Sequence, residues 1–283
     1  MDIINSMNKI LYVTAFFSFI LVSCNTEKVE ENKTEQVDAA EAPKVPQLNY
    51  SIENQYPHDI TSFTEGLLFQ DHKLYESTGG ADNLPQTKSL FGEVDLKTGK
   101  ILVKAELDKT VYFGEGIVFL NGKIYQLTYK NQIAFIYDSK SFKQIGTFNY
   151  ANREGWGMTT DGKYLIMSDG TSYLTYLDPT NYSVVKTLDV AENGYVVEKL
   201  NELEYIKGFI YANIWTTNTI VKIDPKTGDV VGKLDLTALA QDSKSKNPDA
   251  LEMNGIAYDS LTNKILVTGK LWPNMYEIKF NLN

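Results

Sequence analysis

The sequence predicts an all-β fold, a five-bladed β-propeller with four-stranded blades and a ring closed by an N-terminal strand. A short motif recurs five times along the chain, and short apolar runs separated by tight turns follow each copy. The central residues of the motif lie at intervals of 50, 41, 45 and 53 residues, about the length of one four-stranded blade. These central residues are Glu65, Glu115, Trp156, Asn201 and Asn254.

The first two strands of each predicted blade flank a tight turn. After Glu115, for example, Gly-Ile-Val-Phe precedes Asn121-Gly122 and Lys-Ile-Tyr follows it. A second turn, built on an Asp with Pro, Thr or Gly behind it, separates the third and fourth strands, which indicates a structural role for Asp95, Asp138, Asp178 and Asp224. The only candidate helix, residues 190–204, is interrupted by Asn193-Gly194.

The ring is expected to close through an N-terminal strand. The fifth copy of the repeat ends at residues 275–280 and lacks a fourth strand, whereas the strand-like residues 48–52 belong to no blade. Pairing these two segments would complete the fifth blade and cover two exposed sheet edges.

Composition favours one globular domain, residues 48–283, because 43% hydrophobic residues can build a sizeable core and no boundary interrupts the repeats. We expect a monomer. The chain carries 27 Lys+Arg against 36 Asp+Glu, a net charge of −9 without a dense basic cluster, so nucleic acid is a poor partner. The two histidines, His58 and His72, are too few for a His-rich zinc site and give a Ser-His-Asp triad almost no support.

Residues 1–23 are interpreted as a lipoprotein-type signal peptide. The apolar run from Ile10 to Val22 is short for a membrane span, and Leu21-Val22-Ser23-Cys24 resembles the bacterial lipobox, in which the cysteine is lipidated. A plain signal peptide with an incidental Cys24 is the alternative. Residues 25–47 are predicted to be a disordered tether because they are rich in Glu, Lys, Thr, Ala and Pro. The expected location is therefore the bacterial cell envelope, periplasmic or surface-exposed, with a lipid anchor as the only membrane contact.

Equivalent side chains of successive blades should form rings around the central channel. The five motif residues make one ring, and a second register places another set on the adjacent strands, namely Gly79, Tyr129, Gly170, Trp215 and Lys270. Carboxylates, amides, an ammonium group and large aromatics at one channel mouth are typical of a small-molecule site.

The candidate acid/base group is Glu115, which lies between two glycines after Tyr112-Phe113. Burial among aromatics would raise the pKa of its carboxyl towards the range useful for proton transfer, although a structural Glu that binds backbone amides fits equally well. Glu65 occupies the same register. Two carboxylates facing one cavity could share a proton, hold a cation, or be held apart by water.

The remaining candidates have both structural and functional interpretations. Trp156 and Trp215 are either core aromatics or pocket walls, and their register with polar residues favours walls. Lys270 lies between an apolar strand and Trp272, so its ammonium group can reach water only if the side chain faces the channel. Asn201 could position a carbonyl or an amine, or could join neighbouring blades by hydrogen bonds.

Strings of residues from Phe63 to the C-terminus resemble one known family. They are Phe63-Thr-Glu-Gly-Leu, Tyr75-Glu-Ser-Thr-Gly79, Phe113-Gly-Glu-Gly-Ile, Tyr125-Gln-Leu-Thr, Glu154-Gly-Trp-Gly-Met-Thr-Thr-Asp-Gly162, Met167-Ser-Asp-Gly170, Leu200-Asn-Glu-Leu-Glu-Tyr, Ala212-Asn-Ile-Trp215, Met253-Asn-Gly-Ile-Ala-Tyr and Val267-Thr-Gly-Lys-Leu-Trp-Pro273. The chain is similar to the plant- and bacterial-type glutaminyl-peptide cyclotransferases, which are five-bladed propellers of the papaya-latex kind. This resemblance covers essentially the whole predicted domain.

The resemblance implies conversion of the N-terminal glutamine of peptides or proteins to pyroglutamate, with release of ammonia and without a cofactor. A structural cation in the channel is left open. The implied residues are Glu115 as acid/base, Lys270 and Asn201 as catalytic groups that bind the carbonyl or amide, and Phe63, Phe113, Trp156 and Trp215 as substrate-binding aromatics. Glu65 and Tyr129 are expected to bind substrate beside them.

Two positions depart from the family, which usually has Gln at Glu65 and Trp at Tyr129. An extra carboxylate beside Glu115 would raise the apparent pKa values of the pair, and would either bind the substrate ammonium or hinder its deprotonation. Two other classes of function stay open. One is a non-catalytic or reduced-activity surface propeller that binds a ligand in the channel, and the other is a lactonase-like metal propeller.

Overall fold

The computed structural model describes residues 44–282. The predicted signal peptide, Cys24 and residues 25–43 of the predicted tether lie outside the described residues. The last residues of that tether, 44–47, lie along the outer strand of the fourth blade, where Lys233 donates from its backbone N to Pro46 O (3.0 Å) and Gln47 forms a parallel bridge with Lys233. Packing against the propeller therefore begins before residue 48.

The described residues form twenty-two strands and one helix. In chain order they are β1 (Tyr50–Pro57), β2 (Thr64–Gln70), β3 (Lys73–Thr78), β4 (Leu90–Val94), β5 (Ile101–Glu106), β6 (Gly114–Leu120), β7 (Lys123–Thr128), β8 (Ile133–Asp138), β9 (Gln144–Asn149), β10 (Met158–Thr160), β11 (Leu165–Met167), β12 (Tyr173–Leu177), β13 (Val184–Asp189), β14 (Ala191–Glu192), β15 (Tyr195–Val196), β16 (Leu200–Ile206), β17 (Phe209–Ile214), β18 (Thr219–Ile223), β19 (Val230–Asp235), α1 (Thr237–Lys246), β20 (Met253–Asp259), β21 (Lys264–Gly269) and β22 (Asn274–Phe280). The helix is too short to cross a membrane, and no other described segment is helical.

Five antiparallel four-stranded sheets make the blades, in the orders β2-β3-β4-β5, β6-β7-β8-β9, β10-β11-β12-β13, β16-β17-β18-β19 and β20-β21-β22-β1. The predicted five-bladed propeller is thus confirmed. The predicted closure is also present, because β1 pairs with β22 through seven partners from Tyr50 with Phe280 to Pro57 with Asn274. The N-terminal strand supplies the outer edge of the fifth blade and leaves no blade with three strands.

The core is divided into five apolar clusters, one between each pair of neighbouring blades. Representative pairs are Phe91 with Ile124, Tyr125 with Leu165, Tyr176 with Ile210, Tyr211 with Ile265, and Leu74 with Leu266. Each blade is therefore apolar on both faces, and each contributes to two clusters. Packing on both sides holds the inner strand of every blade, where four of the five motif residues lie, and Trp156 lies two residues before β10.

Helix α1 was not expected from the sequence. Only Leu239 and Ser243 of its ten residues are buried, so its sequence carries no apolar stripe that would reveal it. The hydroxyl of Ser243 lies 3.0 Å from that of Tyr276, which attaches the helix to the fifth blade. The interrupted candidate helix is instead the hairpin β14–β15 followed by β16, with Asn193 and Gly194 at positive φ in its turn.

Two carboxyl groups bridge the inner strands inside the channel. Glu202 accepts hydrogen bonds from Leu67 N (3.1 Å) and Ile256 N (2.8 Å), and Glu204 accepts one from Tyr258 N (2.9 Å). Burial raises the pKa of Glu202 well above its ordinary value and that of Glu204 to about 8. Glu202 thus joins the fourth blade to the first and the fifth, and Glu204 joins it to the fifth.

These raised pKa values predict that the protein is most stable at mildly acidic pH. A carboxyl whose pKa is higher in the folded than in the unfolded chain stabilises the fold below its unfolded value, about 4.3, and that contribution is lost as pH rises through the folded value. The unfolding free energy should therefore decline between about pH 5 and pH 8. Denaturant titrations at several pH values would measure it. Glu204→Gln should flatten the slope near pH 8, and an unchanged slope would contradict the assignment.

Candidate active site

The site lies at one mouth of the channel, where three register positions of each blade meet. The first comprises the motif residues, the second lies two residues earlier, and the third lies fourteen to sixteen residues later. A repeated backbone hydrogen bond joins the second and third positions: Gly79 N to Phe63 O (2.9 Å), Tyr129 N to Phe113 O (3.0 Å), Trp215 N to Lys199 O (2.9 Å) and Lys270 N to Glu252 O (2.9 Å). This bond brings equivalent side chains to the same mouth in four blades.

A β-bulge lies at the motif in four of the inner strands. The register shifts fall between Thr64 and Gly66, Gly114 and Ile117, Leu200 and Leu203, and Met253 and Ile256. A bulge places two residues opposite one and re-aims a side chain without ending the sheet. The bulged residues include Glu65, Glu115 and Asn201, and their side chains therefore turn into the channel mouth.

A cavity of about 190 Å³ occupies this mouth. This volume is below the roughly 300–1,000 Å³ of sites for drug-sized ligands, so it suits a single small side chain. All nine residues predicted for the site from the sequence line the cavity, together with Glu252, which was not predicted: Phe63, Glu65, Phe113, Glu115, Tyr129, Trp156, Asn201, Trp215, Glu252 and Lys270. Asn254, the fifth motif residue, lies behind Glu65 and does not line the cavity.

Three buried ionisable groups meet inside the cavity. Lys270 Nζ lies 2.7 Å from Glu65 Oε1, and Asn254 donates from Nδ2 to Glu65 Oε2 (2.9 Å). The carboxyl of Glu115 lines the same cavity. Glu65, Glu115 and Lys270 are each at most 5% exposed. Solvent therefore screens their interactions only weakly.

The two carboxyl groups differ in their electrostatic surroundings. Burial raises the pKa of both, and the charge of Glu65 raises that of Glu115 further. The ammonium group of Lys270 acts in the opposite direction on both carboxyl groups, and for Glu65 its effect includes a direct hydrogen bond. Glu65 therefore has the stronger direct contact with a positive charge, whereas Glu115 faces the negative charge of Glu65.

Aromatic rings form the walls. Phe63 packs edge-on against Phe113 at 5.7 Å between centroids, and Trp156 packs edge-on against Trp215 at 5.5 Å. Lys270 Nζ lies 4.5 Å from the centre of the Phe63 ring. The cavity thus combines apolar aromatic walls with a few polar side chains at fixed positions, as small-molecule sites usually do.

Glycines at the third register position leave room for two of these rings. A Cβ added to Gly79 would lie 2.1 Å from the Phe113 ring, and one added to Gly170 would lie 2.6 Å from the Trp156 ring. Small residues at this register therefore set how far the wall aromatics reach across the cavity.

Gly79→Ala is expected to lower kcat/KM by up to about 10²-fold, because the displaced Phe113 ring would shift bound substrate by a fraction of an ångström to an ångström. Gly146→Ala is the matched control, since its nearest neighbour, Ile136 Cδ1, lies 3.8 Å from the added Cβ. Steady-state kinetics on both variants measures the effect. Equal activity of the two variants would show that the position of Phe113 is unimportant.

The lysine is held by a strained loop. Leu271 has φ of 60°, a conformation that costs a non-glycine residue about 1–3 kcal/mol. Its backbone N donates to Ser62 O (2.8 Å), and Asn247 Nδ2 donates to its carbonyl (2.7 Å). His58 donates from Nδ1 to the Trp272 carbonyl (2.7 Å). These bonds hold the loop in the conformation that directs Lys270 inward.

His58, which holds this loop, has a raised pKa that favours its positively charged form. Burial acts to lower its pKa, but Glu76, 3.1 Å from Nε2, and the Trp272 carbonyl outweigh that effect and raise it. A doubly protonated imidazole can donate from both nitrogens at once. His58 therefore links Glu76, on β3 of the first blade, to the Trp272 carbonyl in the strained loop of the fifth blade.

Two acceptor atoms in the cavity have no partner within the described residues, namely Glu115 Oε2 and Asn201 Oδ1. Buried polar atoms are nearly always hydrogen-bonded, so both are suited to a ligand that brings N–H donors. No group of three or more His, Cys, Asp or Glu side chains that could hold a metal ion occurs within residues 44–282.

A model of the glutamine cyclotransferase family matches residues 20–280. This chain belongs to the glutamine cyclotransferase family. It is 39% identical over 227 residues to the glutaminyl-peptide cyclotransferase of Arabidopsis thaliana, covering 80% of this chain and 69% of that protein. The crystal structure of Myxococcus xanthus glutaminyl cyclase matches with a TM-score of 0.76 and 32% identity, over 84% of this chain and 99% of that one. The resemblance stated from the sequence is confirmed.

Glu252 is the cavity residue of this cyclotransferase that sequence reasoning missed. A signal for it was present, since it lies two residues before Asn254, as Phe63 and Phe113 lie two residues before Glu65 and Glu115. The same register holds Glu154, which accepts from Trp156 Nε1 (3.0 Å), and Lys199, whose Nζ lies 5.7 Å from the Trp215 ring.

Proposed function

We propose that this glutamine cyclotransferase acts on the N-terminal glutamine of peptides and proteins and forms pyroglutamate with release of ammonia. The α-amine attacks the side-chain carboxamide carbon of its own residue, a C–N bond forms, and the original bond to the amide nitrogen breaks. Because an amine displaces ammonia from an acyl carbon, the reaction is an aminoacyl transfer, and the enzyme belongs with the acyltransferases.

The observation that carries this proposal is the pair of unpartnered acceptors, Glu115 Oε2 and Asn201 Oδ1, inside an aromatic cavity of about 190 Å³. A glutamine residue at the N-terminus brings two sets of N–H donors, its amine and its carboxamide, that match them. The small cavity favours a curled side chain, which brings the amine within reach of the carboxamide and supplies much of the rate by proximity.

Each polar residue has a proposed role. Glu115 supplies the proton that departing ammonia gains and takes up the proton that the attacking amine loses. Lys270 has three N–H donors, of which one goes to Glu65, and another stabilises the oxyanion that forms on the carboxamide oxygen. Asn201 orients the amine through Oδ1.

No step of this reaction needs a Lewis acid or a redox group, and we propose that the enzyme works without a metal or organic cofactor. The donors on the oxyanion and the acid/base group all come from the chain itself. Activity that persists after dialysis against EDTA would support this, whereas loss restored by one metal ion would point to a lactonase-like metal propeller.

The test of the function is incubation of the purified protein with a Gln-initiated dipeptide while ammonia is followed. We expect stoichiometric ammonia and pyroglutamyl product. A matched dipeptide with an acetylated amine is the control and should release none, because it lacks the nucleophile. Absence of release from the free dipeptide, together with saturable binding of it, would indicate a non-catalytic surface propeller.

We also propose that the protein is a monomer anchored to the bacterial cell envelope through lipidated Cys24, with the propeller on the periplasmic or outer side. The sequence around Cys24 and the tether behind it support this assignment. Fractionation of cells expressing Cys24→Ser should move the protein out of the membrane fraction. Sedimentation of a tether-free form should give the mass of one chain.

A further inference from the structure

The carboxyl groups of Glu65 and Glu115 are not equivalent, because hydrogen-bond donors surround only one of them. Both oxygens of Glu65 accept, one from Lys270 Nζ at 2.7 Å and the other from Asn254 Nδ2 at 2.9 Å. Glu115 Oε2 has no partner within the described residues, and its carboxyl lines the same cavity as that of Glu65. Two carboxyl groups buried in one small cavity disfavour a second negative charge, so one of them keeps its proton, and the donors mark Glu65 as the charged member.

We propose that Lys270 keeps Glu65 charged in the free enzyme and that this charge keeps Glu115 protonated. Glu115 therefore enters the reaction as an acid and acts as a base only afterwards. Glu65 is thus a positioning residue that sets the protonation state of its neighbour. The order in which Glu115 acts as acid and base rests on the proposed function. The proton assignment itself concerns the free protein and can be tested without turnover.

The charged groups around the pair agree with this assignment. Burial and the charge of Glu65 raise the pKa of Glu115, and Glu154 adds to the rise, while Lys270 opposes it. Glu252 raises the pKa of Glu65. Burial and, in part, the charge of Glu65 raise the pKa of Glu202. The hydroxyl of Tyr150 donates to the Thr128 carbonyl, and this neutral side chain also faces Glu115.

The order of proton transfers follows. The neutral α-amine attacks the carboxamide carbon, the new C–N bond forms, and the carbonyl electrons move to the oxygen beside Lys270. Glu115 then gives its proton to the carboxamide nitrogen. Ammonia departs with the electrons of the broken C–N bond, and the C=O bond reforms. The ring nitrogen finally loses its extra proton to the carboxylate of Glu115, which restores the resting site.

Infrared difference spectroscopy on the free protein tests the proton assignment. The wild type minus Glu115→Gln spectrum at pH 8 should contain the C=O band of a protonated buried carboxyl. In Glu65→Gln the charge of Glu65 is gone and Lys270 can turn to Glu115, so the pH midpoint of that band should fall by about one to three units. Glu252→Gln removes a carboxylate not bonded to Glu115, and it should move the midpoint less.

The kinetic counterpart is the alkaline limb of kcat/KM, which should move to lower pH in Glu65→Gln by the same amount as the band. Absence of the band from the wild type at pH 8, or an unmoved midpoint in Glu65→Gln, would overturn the proposal. If the band behaves as expected while no Gln-initiated peptide is turned over, the proton assignment stands and the proposed function fails.

Discussion

Glu115→Gln is expected to reduce turnover of a Gln-initiated dipeptide by about 10²- to 10⁴-fold, the usual contribution of a general acid/base. The amide has the shape of the carboxyl, but it cannot release and recover a proton. Both the protonation of departing ammonia and the deprotonation of the ring nitrogen would then depend on water, to which Glu115 is only 4% exposed. The loss should appear in kcat, with KM changed little.

The stability of Glu115→Gln should not fall. Burial and the charge of Glu65 raise the pKa of Glu115, so at neutral pH the group must take up a proton on folding, and a neutral amide avoids that cost. Denaturant unfolding of the variant checks this. Glu204→Gln is the matched control, because it makes the same change at the other end of the channel and should retain turnover. Glu115→Gln with more than a tenth of wild-type kcat would contradict the role.

The architecture was predictable from the sequence because the repeat encodes it several times over. The spacing of the motif gave the blade length, and residues 48–52 predicted the closing strand that β1 forms with β22. Helix α1 was not predictable in this way, since a periodic pattern needs more than the two buried residues it has. Packing, rather than local pattern, holds it in place.

The residues that line the cavity were also largely predictable, because the repeat register places equivalent side chains at one mouth of the channel. The contacts inside it were not. That Lys270 would reach Glu65 depends on a bulge in β2 and on the left-handed conformation of Leu271, and neither feature has a sequence signature. The roles of Glu115, Lys270 and Asn201 remain predictions, and substitutions of Glu115 and Lys270 test the first two.

Lys270→Met is expected to affect stability and activity together. Removing one partner of a buried ion pair typically costs about 3–5 kcal/mol, because the remaining carboxylate of Glu65 is left without its counter-charge. Loss of a donor to the oxyanion should lower kcat by about 10²- to 10³-fold. Unfolding by denaturant and steady-state kinetics measure the two effects separately. Full stability in the variant would show that the pair is not charged in the folded protein.

The pH dependence and a second substitution separate these two effects. Without Lys270, the pKa of Glu65 rises further above its value of about 7, so the loss of stability should be small at pH 5 and should grow as pH rises past neutrality. Adding Glu65→Gln to Lys270→Met removes the unpaired charge and should restore most of the stability at pH 8. It cannot restore the donor to the oxyanion, so kcat should stay low. Recovery of both stability and kcat in the double variant would mean that Lys270 serves only to neutralise Glu65.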